Sequence, residues 1–336
     1  MPYSFKLSPR LTRLRAPVFA ALIVAFIGCD STEPLDPESS ITPGAIDLGA
    51  VGDVPLGDVP LGEDAADVEV MAVGEPQLAS ASFAGGIPFG MAAQPLSQFN
   101  GRFNGAKRTI GPNKIMEELQ IIRSRGGKVV IMLAGNPRHY RDGDGHFSLS
   151  KWKSRVDLFK GKNFSSYLND GTITGHYLLD EPNDPRNWSG RTVSASTVEE
   201  MAKYSKQLWP GMATIVRTQP DYLGFNHRYL DAAWAAYLWR RGNVNEYIRE
   251  NVAEAQKRGL ALVVGMNVLR GGNPNGTRMT ASEVESWGSA MLSSSYPCAF
   301  IMWEWNTDYL ESSAMRSAMD GLRRKAENRS NRSCRS

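Results

Sequence analysis

The strongest constraint on the fold is an alternation that starts near residue 84. Short uninterrupted apolar runs, rich in β-branched and aromatic residues, occupy 87–93, 128–134, 173–180, 213–217, 232–238, 260–268 and 299–305. Each is bounded by Gly, Asn or Pro, the pattern of strands covered on both faces. Amphipathic segments lie between them. The segment 113–124 puts Ile115, Leu119 and Ile122 on one face and ends at Gly126-Gly127. Ser148 heads a helix expected over 149–168, with Trp152, Val156 and Phe159 as its stripe. Thr197 with Glu200, and Ser282 with Glu285, have capping-box spacing for helices over 198–209 and 283–292, and Asn245 precedes one over 246–258. Repeated βα units over roughly 245 residues predict an α/β fold with a parallel sheet, a (β/α)8 TIM-like barrel. Seven strands are legible, so the eighth either hides within 96–107 or is missing. A doubly wound sheet is the competing fold, but no Gly-rich phosphate loop follows any strand.

The first 29 residues read as an address. Lys6, Arg10, Arg13 and Arg15 precede an apolar run over 16–27, too short to span a bilayer and suited to a secretory signal. Its end, Phe26-Ile27-Gly28-Cys29, resembles the lipobox of bacterial lipoproteins, with Phe26 where Leu is usual. The resemblance implies a lipid on Cys29, a membrane partner through that anchor, and a location in the bacterial cell envelope on its periplasmic or cell-surface side. A plain signal peptide or an uncleaved anchor is the alternative.

Residues 30–80 hold 12 acids and no Lys or Arg, with a near-repeat from Gly52 to Gly62, and read as a disordered acidic linker. The folded domain is expected over 81–325 and a basic flexible tail over 326–336. The chain carries 38 basic and 35 acidic residues. Setting aside 4 bases in 1–29, 12 acids in 30–80, and 6 bases with 1 acid in 323–336 leaves 28 bases against 22 acids in 81–322. That surplus, without a basic stripe or RNA-binding motif, excludes a nucleic-acid partner. Cys298 reads as a buried thiol and Cys334 as part of the mobile tail; a bridge between them is the alternative.

Chemistry in a parallel barrel sits at the C-terminal ends of its strands. Three such ends carry polar residues. One strand closes on Leu179-Asp180-Glu181-Pro182, one on Trp303-Glu304-Trp305-Asn306, and one on Asn136-Pro137-Arg138-His139. Two carboxylates across a barrel mouth suit cleavage of a glycosidic bond, one donating a proton to the leaving oxygen and the other acting as nucleophile or base. Glu181 and Glu304 are the catalytic candidates. Asp180 is the reserve, since successive strand residues point to opposite faces and only one of the pair should face the centre. One of Trp303 and Trp305 is expected to belong to the core and the other to be free to stack on a sugar. Asn136, Arg138, His139 and Asn267 complete the candidate substrate contacts. The competing reading has Glu181 paired with Arg138 and Glu304 in a structural salt bridge.

Leu179-Asp180-Glu181-Pro182 is similar to the strand-end Asn-Glu-Pro of the clan A glycoside hydrolases, and Trp303-Glu304-Trp305 resembles their late-strand Glu. The resemblance implies a TIM barrel acting on a carbohydrate substrate, with Glu181 as acid/base and Glu304 as nucleophile. Asp180 stands where that clan has Asn, and three strands separate the two Glu residues where the clan has two. Asp142-Gly143-Asp144-Gly145-His146 has the start of a calcium loop, but Phe147 replaces the required Gly, so a turn explains it better. The four His are scattered, and neither a metal nor a cofactor is expected. Two functions therefore stand: an exported, lipid-anchored glycoside hydrolase, and a non-catalytic barrel that binds glycan or another surface partner.

Overall fold

The computed structural model describes residues 85–99 and 101–335. The segments read as signal and linker, Cys29 included, lie outside the described residues. In chain order the elements are β1 (Phe89–Ala92), β2 (Gly105–Thr109), α1 (Ile115–Ser124), β3 (Lys128–Met132), α2 (Leu149–Asp157), α3 (Ser165–Asn169), β4 (Ile173–Asp180), α4 (Ala195–Leu208), β5 (Thr214–Arg217), β6 (Ala232–Tyr237), α5 (Val244–Lys257), β7 (Ala261–Met266), α6 (Ala281–Ser293), β8 (Ala299–Met302), α7 (Thr307–Leu310) and α8 (Ser313–Glu327). The eight strands close in sequence order, all parallel, with β8 pairing back onto β1. This is the (β/α)8 barrel the alternation predicts. No described helix is long and apolar enough to cross a membrane.

The eighth strand is β2, the strand that presents no apolar run. Its sequence is Gly-Ala-Lys-Arg-Thr, yet its first three residues are buried between β1 and β3. The helix expected over 149–168 is broken into α2 and α3. Chain direction changes through 158–164, where Gly161 adopts φ +81° and Phe159 is buried in the turn. Three helices start before the expected caps, α5 among them, which is capped by Asn243 and not by Asn245. Ser194, not Thr197, caps α4, and Thr280 with Glu283 forms the capping box of α6, two residues ahead of Ser282 and Glu285.

The tail expected to be mobile is tied to the barrel. α8 runs to Glu327, and Cys334 is bonded to Cys298 at the start of β8, with Cα atoms 5.3 Å apart. The Ile87 N–H donates to Ala326 O at 3.1 Å, so the chain enters β1 beside the end of α8. Entry segment, α8 end and disulfide thus gather at the N-terminal ends of β1 and β8.

Candidate active site

The upper part of the barrel interior is one layer of side chains supplied by alternate strands, as this fold requires. Lys107 comes from β2, Tyr177 from β4 and Trp234 from β6, while Trp303 follows β8 directly. Lys107 Nζ lies 5.0 Å from the Tyr177 ring centroid and 5.6 Å from that of Trp303. The Tyr177 and Trp234 rings meet edge to face at 5.4 Å. An ammonium thus takes a place that a branched apolar side chain would ordinarily fill. Burial lowers the pKa of Lys107, and the carboxylates of Asp180 and Glu304 act in the opposite direction. Lys107 therefore lies within the fields of both strand-end acids.

The carboxylate cluster at the end of β4 is produced by an irregularity. Tyr177 pairs with Ile215 and Asp180 with Arg217, so β4 spends three residues where β5 spends two. The slip reverses the alternation beyond Tyr177 and turns Asp180 toward the interior. Arg217, at the end of β5 and almost fully buried, meets Asp180 at 2.6 Å and Glu181 at 3.0 Å. The expectation that only one of the two acids faces the centre is corrected: both reach the same guanidinium. Glu181 itself has φ +40°, a left-handed conformation rare outside glycine. Its backbone is fixed there by neighbours. Its N–H donates to Arg217 O at 2.9 Å, and its carbonyl accepts from Trp188 Nε1 at 3.2 Å and from Asp184 N at 3.0 Å. Positive φ at a pinned polar residue is the kind of local strain that collects at functional sites.

Charge around this pair is mutually reinforcing. Burial works against the charge on Arg217, but Asp180, Tyr177 and Glu181 outweigh it and raise its pKa. Burial also raises the pKa of Tyr177, and Asp180 adds to the shift. Tyr140, buried after β3 against Trp188 and Phe147, is likewise raised by burial and then by Asp180. The Arg217 guanidinium also lies 5.4 Å from the Trp303 ring centroid, so that indole is flanked by two cations. A small pocket opens above, lined by Glu181, Asn183, Arg217, Trp234 and Arg241 among others.

The remaining predicted residues divide. Trp303 belongs to the layer just described, and Glu304 follows it through a cis peptide bond. Trp305 turns away: its ring packs edge-on against Phe103 at 5.8 Å, and its Nε1 donates to Thr307 at 3.2 Å. Asn267 forms a bridge beside Trp303, and its side chain accepts from Arg270 N at 3.1 Å. Asn136 caps the turn at 137–139 by accepting from Arg138 N at 3.0 Å, while Arg138 and His139 are exposed and lean on each other. From that loop it is Tyr140 that approaches Asp180. Ligand atoms of Asp142, Asp144 and His146 lie within 4.8 Å of one another, but Asp142 accepts from the backbone N–H of both Asp144 and His146, as a turn does. A second hollow, on the opposite face between Pro88, Lys128 and the Cys298–Cys334 bridge, contains no carboxylate.

Sequence reasoning missed Lys107, Tyr140, Tyr177, Arg217 and Trp234. Arg217 carried a signal, as a lone cation ending an apolar run. Tyr177 and Trp234 are indistinguishable from core residues in a sequence.

No family model and no curated protein matches the sequence. Among solved structures, the chain is similar to a Bacteroides thetaiotaomicron protein provisionally assigned as an alpha-L-fucosidase, with TM-score 0.50 and 11% identity over 78% of this chain and 99% of that one. It is also similar to a chitinase from Pseudoalteromonas aurantia, with TM-score 0.44 and 12% identity over 69% of this chain and 99% of that one. An endoglucanase catalytic domain from Xanthomonas campestris gives TM-score 0.45 and 12% identity over 71% and 93%. At such identities the likeness establishes the barrel alone.

Proposed function

We propose that this chain is a glycoside hydrolase that cuts poly- or oligosaccharide, exported and held by a lipid on Cys29. One observation carries the reading. An aromatic-lined barrel mouth holds Asp180 as the last residue of β4, Glu181 directly after it and Glu304 after β8, with Lys107 inside the layer within the fields of Asp180 and Glu304. Glycosidic cleavage needs that separation of roles. A carboxylic acid donates its proton to the leaving oxygen, while a carboxylate on the other side attacks the anomeric carbon or removes a proton from water. Glu181, with its side chain 42% exposed, is the more accessible of the β4 acids and takes the acid role. Asp180 holds Arg217, and Arg217 orients Glu181. Glu304 takes the nucleophile or base role, and Trp303 offers a flat apolar face to the sugar.

A second reading has a specific observation in its favour. Arg217 already satisfies Asp180 and Glu181, as it would in a barrel that binds glycan without cutting it. One experiment separates the two. The full chain is assayed on polysaccharides and aryl glycosides beside Glu181→Gln and Glu304→Gln. Hydrolysis that either amide abolishes supports the enzyme. Binding without hydrolysis, or hydrolysis indifferent to both changes, overturns it.

A further inference from the structure

Lys107 is only 8% exposed, and among the described residues its Nζ makes no hydrogen bond and no ion pair; it faces two aromatic rings. An ammonium has three donors and no acceptor, and burying it without partners is costly. Around the layer, Trp234 Nε1, Arg217 Nε, the Tyr177 hydroxyl and the Gln94 side-chain amide are buried without a hydrogen-bond partner. None of these groups offers the Lys107 ammonium a counter-charge.

From this geometry we infer that the sugar held at the mouth carries an anionic substituent, a carboxylate or a sulfate ester, and that Lys107 is the residue that selects it. The inference rests on the glycan-cleaving reading and names the substrate class for that site. The substituent supplies the ammonium with the acceptor that the neighbouring Tyr177 and Trp303 rings do not. The rival role for Lys107 is that of a counter-ion to Asp180 and Glu304, needed equally by every substrate.

The test uses the full chain and measures both affinity and turnover with aryl glucoside, galactoside, glucuronide, galacturonide and 6-sulfated glucoside. At least one anionic glycoside is expected to bind and react about 10-fold to 100-fold better than its neutral parent, the range of a charge-assisted hydrogen bond in a buried site. Lys107→Met should bring that ratio close to one. Lys107→Gln, which keeps a donor and removes the charge, should do the same and serves if the Met variant does not fold. Preference for the uronides or for the sulfated sugar identifies the substituent. Neutral glycosides handled as well as anionic ones, or a ratio unchanged in both variants, overturns the inference and leaves the hydrolase reading intact. Lys107-dependent binding of an anionic glycoside that is never cleaved overturns the hydrolase reading and keeps the inference. No binding of any of the five overturns the inference, and the hydrolase reading is then decided by the polysaccharide assays.

Discussion

Arg217 decides how Glu181 behaves, because one guanidinium orients two neighbouring carboxylates. If Glu181 is the general acid, Glu181→Gln keeps fold and affinity and lowers turnover by roughly 100-fold to 10,000-fold, since the amide fills the same volume without a proton to give. Substrates with good leaving groups should lose less, and steady-state assays on a leaving-group series check this. Equal losses across the series with stability intact would transfer the role to Asp180. A different single residue controls acid stability. His176, on β4, is packed between Trp152 and Trp209, and burial pushes its pKa down from 6.5 to about 3. It is neutral in the folded chain where the unfolded chain binds a proton. Its contribution is therefore complete above pH 6.5 and is lost as pH falls toward 3, with a slope approaching about 1.4 kcal/mol per pH unit. Melting temperatures from pH 7 to pH 4 should fall less steeply in His176→Gln than in the natural chain. At this scale, legibility followed position. That Glu181 and Glu304 stand at strand ends was readable from the βα rhythm, and they lie one residue after β4 and two after β8. Lys107 sits in a strand with no apolar run to announce it, and that Asp180 faces inward depends on a slipped register that no residue type signals.

The elements were readable from their periodicity and their boundaries were not. The helices over α4 and α6 both begin in stretches dense in Ser and Thr, where several residues can act as the cap. Ser194 accepts from Thr197 N in one, and Thr280 exchanges bonds with Glu283 in the other. The choice has a measurable consequence. Thr280→Ala should cost about 1 kcal/mol in urea unfolding, whereas Ser282→Ala, inside the first turn, should cost a few tenths at most. Comparable losses from the two would return the cap to Ser282. The division of one expected helix into α2 and α3 has a similar origin. The apolar stripe through Phe159 continues across the break, because a buried residue in a turn preserves the pattern that a helix would show. β2 is the opposite case, a strand recognised only from the partners on either side of it.

For the whole molecule, the fold class was legible because seven repeats of the βα unit average out local ambiguity, while the Cys298–Cys334 tie at its lower face was not. The Cys298–Cys334 bridge spans 36 positions of chain. Replacing Cys334 with Ser should lower stability by up to about 4 kcal/mol, because the unfolded chain regains the freedom of that loop. Turnover at the opposite face should be unchanged; a fall in activity per folded molecule would show that the two ends of the barrel are coupled. If a lipid on Cys29 anchors the chain as proposed, Cys29→Ser should move it from membrane to soluble or uncleaved fractions, and unchanged membrane recovery would overturn that anchor. One arrangement links these ends. The chain enters β1 beside the end of α8, next to the bridge, through the Ile87 to Ala326 hydrogen bond. Tension applied through the segment before residue 85 is then delivered to a reinforced base and not to the loops after β4 and β8. A molecule tugged from that side strains against its own staple while the carboxylates at the far end keep their spacing.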